Sequence, residues 1–189
     1  MVCAKTDRAH AGLSELFHEH DIERQYIAFT HLAPRPLVGS VHTRIGRDSR
    51  DRLKMKANPD IESSFGREAI THYQVQQSFG AAGSRSGEPA AAMVACTLET
   101  GRTHQIRVHL AHIGATVIGD PLYGRRGGLR LLGDNAATQK ARELVNAFPR
   151  QALHAALLGF RHPVTGKKVK AESPLPADMA ELRAVLSAL

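Results

Sequence analysis

Apolar and polar residues recur along this chain with two periods, and each change of period marks an element. Over residues 7–18 the apolar positions Ala9, Leu13, Leu16 and Phe17 follow helical spacing, with Thr6 or Asp7 placed to cap the helix. Residues 22–31 predict a strand on which Tyr26, Ala28 and Thr30 share one face, and Pro34 and Pro36 end it. Residues 35–58 read as a basic hairpin with turn points at Gly39 and Gly46, and residues 70–79 as a further strand. Residues 80–89, rich in Gly, Ala and Ser, predict a flexible turn. Residues 91–98 are nearly all apolar, which predicts an inner strand buried on both faces.

After the turn Glu99-Thr100-Gly101, Thr103 is placed to cap a short helix that runs to Ile113 and stops at Gly114. A short strand over 116–118, a helix over 137–147 and strands over 152–160 and 168–171 follow. Pro176 opens a final helix with Met179, Leu182, Val185, Leu186 and Leu189 on one stripe. Strands and helices mix without a regular βαβ alternation. The expectation is therefore an α+β fold with a largely antiparallel mixed sheet flanked by helices. No repeat or interdomain linker interrupts residues 1–189, which read as one domain.

At 42% hydrophobic and 23% charged residues the composition is that of a globular chain, and no apolar run is long enough to span a membrane. The N-terminus lacks the basic and apolar regions of a secretory signal. Two cysteines, Cys3 and Cys96, are too few for a disulfide framework or a structural zinc site. The expected setting is a reducing cytoplasm. Charge adds more. The net charge is +7, yet three windows, 44–56, 101–130 and 161–170, each carry +4 and the remainder is acidic. Separated windows of one sign suit a surface that meets a polyanion, and they equally suit solvated basic loops.

The densest polar cluster is Thr100-Gly101-Arg102-Thr103-His104-Gln105-Ile106-Arg107-Val108-His109, at the start of the short helix. A helix N-terminus offers free N–H groups to phosphate or carboxylate. Arg107 lies one turn after Thr103, where its guanidinium could pair bidentately with an acidic residue or a phosphate, or simply be solvated. His109 and His112 share a helix face but His104 does not, and neither HExxH nor a closely spaced Cys/His pair exists, so no metal site is expected. GxSxG, P-loop and GxGxxG motifs are also absent, and no cofactor is expected. Tyr26 is a further candidate, either as a ring for stacking on a base or as a core tyrosine.

Taken together and in order, these segments resemble the RluA-type pseudouridine synthases. Arg24-Gln25-Tyr26 is similar to the family's K/R-x-Tyr motif, and residues 100–110 (TGRTHQIRVHL) to its most distinctive signature. Gly119-Asp120-Pro121-Leu122-Tyr123-Gly124, Leu153-His154-Ala155 and Phe160-Arg161-His162-Pro163 resemble later motifs. Residues 2–17 resemble the strand and helix that follow the catalytic motif. That motif, His-Arg-Leu-Asp-x-x-Thr-Ser-Gly with its nucleophilic aspartate, has no counterpart in this sequence. The resemblance implies the C-terminal portion of the catalytic domain, N-terminally truncated. It also implies that Asp7, Asp21 and Asp120 are not the nucleophile.

The same resemblance implies a cofactor-free isomerisation of uridine in structured RNA, most commonly ribosomal large-subunit RNA, with tRNA as an alternative substrate. It assigns Arg107 to hold the nucleophilic aspartate and Tyr26 to pack on the flipped uracil, and gives Arg102, Thr103 and His104 to RNA contact. A catalytically inactive RNA-binding module on the same fold is the competing expectation. The truncation further predicts an exposed sheet edge, with the strand over 91–98 suffering most, and self-association through that edge.

Overall fold

The computed structural model describes residues 2–80, 87–125 and 127–189. Its elements run α1 (Asp7–His18), β1 (Glu23–His31), β2 (Val38–Arg47), β3 (Met55–Asn58), β4 (Arg67–Phe79), β5 (Ala91–Leu98), α2 (Gln105–His112), α3 (Ala136–Asn146), β6 (Leu153–Arg161), β7 (Lys168–Glu172) and α4 (Ala177–Leu186). All seven strands form one sheet in the order β3-β2-β4-β5-β1-β6-β7, and every pairing is antiparallel. The α+β expectation holds. The flexible turn expected over 80–89 falls mostly outside the described residues, as does Arg126 of the basic loop.

Sheet order follows from hydrophobicity. β5, the most apolar strand, sits between β4 and β1 near the middle, and all its residues except Thr97 are buried. Its alternate residues serve two faces. Ala92, Val94 and Cys96 lie on the face that carries Tyr26, Ala28 and Thr30 of β1, by their pairing register. Ala91 and Met93 lie on the other, with Phe29 and Phe79, whose rings stack at 6.3 Å. α4 covers that second face, and its Arg183 and the C-cap residue Ser187 hydrogen-bond to Gln77 of β4. Of the predicted α4 stripe, Met179, Leu182, Val185 and Leu186 are buried in the main core, while Leu189 lies past the end of the helix, partly buried against it.

Three expectations are corrected. β5 borders no edge, because paired strands flank it on both sides. The edges are β3, only four residues long, and β7, whose Lys168 and Lys170 are exposed; short, lysine-bearing edges resist pairing with another chain. Thr103 does not cap α2: the N-cap is His104, at φ +59°, and no side chain caps it. Thr6, by contrast, accepts the Ala9 N–H at 3.2 Å and caps α1 as its position predicts. The segment over 116–118 is reduced to one bridge between Thr30 and Val117.

Leu182, fully buried in the core, tests this packing. Leu182→Ala is expected to lower unfolding stability by about 2–5 kcal/mol in urea titrations. Leu53→Ala, at a side chain 72% exposed, is expected to stay within about 0.5 kcal/mol of the parent.

Candidate active site

α2 packs on the Tyr26 face through polar side chains, because the sequence places Gln105 and His109 one turn apart on its inner side. Gln105 is 3% exposed and every hydrogen-bonding group of its amide is used. Its Oε1 accepts from the Arg102 N–H and the Thr100 hydroxyl, each at 2.8 Å, and its Nε2 donates to Ile70 O at 2.9 Å and Thr71 Oγ1 at 3.0 Å. His109 is wholly buried between Thr71 Oγ1, at 2.8 Å from Nδ1, and Thr43 Oγ1, at 3.0 Å from Nε2. Burial, reinforced by His112 and His42, drops its pKa to about 4. It is a neutral structural imidazole. These bonds pin α2 to β2 and β4 and fix the direction in which the next side chain, Arg107, leaves the helix.

Arg107 meets Asp120. Nε and Nη2 each donate to one carboxylate oxygen at 2.7 Å, a bidentate pair whose carboxylate has no exposed surface. Burial alone would raise the Asp120 carboxyl. The guanidinium and the N–H groups of Tyr123 and Leu122 outweigh burial and hold it below the usual carboxylate range. The hydrogen bond to Asp120 in turn raises the Arg107 pKa. Among the described residues, Arg107 Nη1 has no protein partner.

The turn that carries Asp120 completes the cluster. Gly124 packs so closely on Asp120 that a Cβ there would lie 2.1 Å from the Asp120 carbonyl oxygen. Tyr123 lays its ring under Arg107, 5.0 Å from the guanidinium carbon, and its hydroxyl lies 2.9 Å from His104 Nδ1. The same hydroxyl accepts the Met55 N–H at 2.7 Å, so the basic β2–β3 hairpin is tied to this turn. Burial, then the Arg107 charge, lowers the His104 pKa.

The sequence candidates are thus only partly gathered. Arg107 is central and His104 joins it through Tyr123. Arg102 lies at the rim with Nε on Glu68 O at 2.8 Å, and Thr103 is exposed. Tyr26 is half-buried on the sheet face that α2 covers, in a row with Cys96 and Tyr73. The acidic partner that holds Arg107 within this chain is Asp120, 13 positions away in sequence. Asp120 and Tyr123 are the groups that sequence reasoning left without a role. The available signal was an aspartate followed by Pro-Leu-Tyr-Gly, a setting in which a carboxylate caps the N–H groups two and three residues on. Among the described residues no group of three or more His, Cys, Asp or Glu is placed to hold a metal ion. No helix there is long and apolar enough to cross a membrane.

The family model described as RNA pseudouridylate synthase matches residues 1–112. The chain belongs to that family. A synthase named ribosomal large subunit pseudouridine synthase D, from Xanthomonas campestris pv. campestris, is 40% identical over 186 residues, 98% of this chain and 50% of its own length. RNA pseudouridine synthase 2, chloroplastic, of Arabidopsis thaliana is 39% identical over 192 residues, 98% of this chain and 43% of its own. The chain thus spans about half the length of the curated relatives it matches. Two solved human structures share the pseudouridylate synthase fold, each at TM-score 0.69 over 96% of this chain. Domain containing 1 is 23% identical with 66% of its chain covered, and domain containing 4 is 25% identical with 68% covered.

Two outcomes check the site. Asp120→Ala leaves the Arg107 charge buried without its partner, with an expected loss of about 3–5 kcal/mol in chemical unfolding. Arg107→Met in the same chain is expected to restore part of it. For pH, His109 and His31 are both held near 4, chiefly by burial, whereas an unfolded imidazole titrates near 6.5. Between those values the unfolded chain binds more protons, so each histidine's stabilisation is intact above pH 6.5 and is lost as pH falls through the window. Urea midpoints at pH 7, 6 and 5 are expected to drop progressively. His109→Gln is expected to flatten that slope by up to about 1.4 kcal/mol per pH unit.

Proposed function

We propose that this chain supplies the uridine-binding and arginine-bearing half of an RNA pseudouridine synthase acting on large-subunit ribosomal RNA in the cytoplasm. One observation carries the reading: Arg107 is immobilised by Asp120 with Nη1 left over, on the sheet face that also carries Tyr26. Relatives named for the large ribosomal subunit support the substrate class. A fixed guanidinium edge suits the orientation of a carboxylate nucleophile, keeping it ionised as the N1–C1′ bond breaks and the uracil rejoins through C5. The two guanidinium nitrogens already on Asp120 leave one nitrogen for that nucleophile instead of the full fork. Tyr26 provides the ring against which a flipped base packs. Arg102 and Thr103, at the rim, face the RNA backbone, and His104 serves the site through Tyr123.

Because the sequence holds no His-Arg-Leu-Asp-x-x-Thr-Ser-Gly stretch, these 189 residues alone are expected to form no pseudouridine, as read by carbodiimide mapping of treated ribosomal RNA. Turnover by the purified chain would overturn the assignment of the nucleophile to that stretch. In a polypeptide carrying the stretch upstream, Tyr26→Ala and Arg107→Ala are each expected to abolish turnover. Arg107→Lys is expected to be poor, since an ammonium cannot both hold Asp120 bidentately and present a free edge. Near-normal rates would overturn both roles. RNA binding that persists with no turnover even when the stretch is supplied would favour a catalytically inactive RNA-binding module.

A further inference from the structure

Arg24 is 7% exposed and, among the described residues, has no carboxylate partner. Its Nη2 donates to Glu99 O at 2.7 Å and more distantly to Leu98 O, and its Nε is buried with no partner at all. The nearby Glu99 carboxylate is engaged by His72. One side of the guanidinium faces the Phe17 ring, 5.9 Å away. The other lies against Gly101, where a Cβ would stand 2.6 Å from Nη1, and among the described residues Nη1 has no protein hydrogen bond. Burial lowers the Arg24 pKa, a cation held where its charge is poorly compensated.

Two further arginines lie nearby. Arg102 follows Gly101 directly and is anchored through Nε to Glu68 O. Arg67 begins β4 on the same sheet face as Thr71 and is exposed. Arg102 feels the positive charges of both Arg67 and Arg24, offset by the Glu68 carboxylate. Arg24 at Gly101, Arg102 next to it in the chain, and Arg67, the neighbour of the Glu68 whose carbonyl holds Arg102, form a run of three arginines beside the N-terminus of α2, which no side chain caps. Arg24 and Tyr26 lie two residues apart on one strand and project to the same face.

We infer that Arg24 at Gly101, together with Arg102 and Arg67 beside it, forms a seat for a single RNA backbone phosphate next to the nucleotide whose base packs on Tyr26. The seat deepens the RNA reading above and rests on it. The absence of a side chain at residue 101 brings Arg24 Nη1 to the surface, and Arg67 and Arg102 close on the phosphate from the solvent side. A guanidinium fork suits phosphate oxygens, and Phe17 keeps Arg24 in place.

The test is fluorescence titration of the 189-residue chain with a labelled RNA hairpin carrying a uridine in its loop, across a salt series. Arg67→Gln and Arg102→Gln are expected each to weaken binding roughly threefold to tenfold and to reduce the salt slope by about 0.7. Lys140→Gln on α3 serves as the control. RNAs with one neutral methylphosphonate at successive loop positions are expected to show a single position that weakens the parent, and that penalty is expected to vanish in Arg102→Gln. Binding by the parent with unchanged affinity and slope in both variants would overturn the seat and leave the RNA reading standing. No RNA binding by the parent would overturn both. Displacement of the RNA by inorganic phosphate at constant ionic strength would show a free-anion site and overturn the backbone assignment.

Discussion

The Arg107–Asp120 pair is the constraint around which the site is arranged. A bidentate pair with a fully buried carboxylate is costly to desolvate, and the surroundings offset that cost. Two backbone N–H groups also donate to Oδ1 of Asp120, and an aromatic ring lies under the guanidinium. The pair joins a helix to the turn 13 residues further on and holds the guanidinium in one orientation. A free arginine side chain would have to give up rotamer freedom each time it oriented a reacting carboxylate.

A layer of polar groups beneath the pair makes that orientation possible. Thr43, Thr71, Thr100, Gln105 and His109 are all buried, and each is bonded to another member of the set. Apolar side chains at these positions would let α2 slide or roll on the sheet, whereas directional bonds fix its register. The segment from Thr100 to His109 thus divides its labour. Thr100, Gln105 and His109 are architecture, Arg107 pairs with Asp120, and Arg102 with Thr103 meets solvent at the rim.

The basic windows divide in the same manner. Arg44, in the first, spends its guanidinium on the carbonyls of Phe65, Gly66 and Ile61, and so ties the β3–β4 connection to β2. Arg47 turns to the Arg52 carbonyl, which shapes the hairpin tip. Charge counted along a chain therefore overstates what is available to a polyanion. Conversely, Arg24 lies outside every basic window, yet it is buried with no carboxylate partner among the described residues.

Periodicity and composition by themselves determined the elements. The Thr6 cap, the doubly buried β5, the stripe of α4 and the antiparallel α+β class follow from local spacing, and the structure reproduces them. Motif order also pointed to the family and to Arg107. What local spacing does not hold is which polar groups meet across distance. That Asp120 grips Arg107, that Tyr123 links His104 to Met55, and that β5 lies far from any edge were decided by tertiary structure alone. Thr103 shows the same limit at short range: its type suited a cap, but Gln105 folds back to take the Arg102 N–H and leaves His104 at the N-cap. Local propensities act over a few residues, whereas a buried polar group is stable only where the whole fold brings its partner to it.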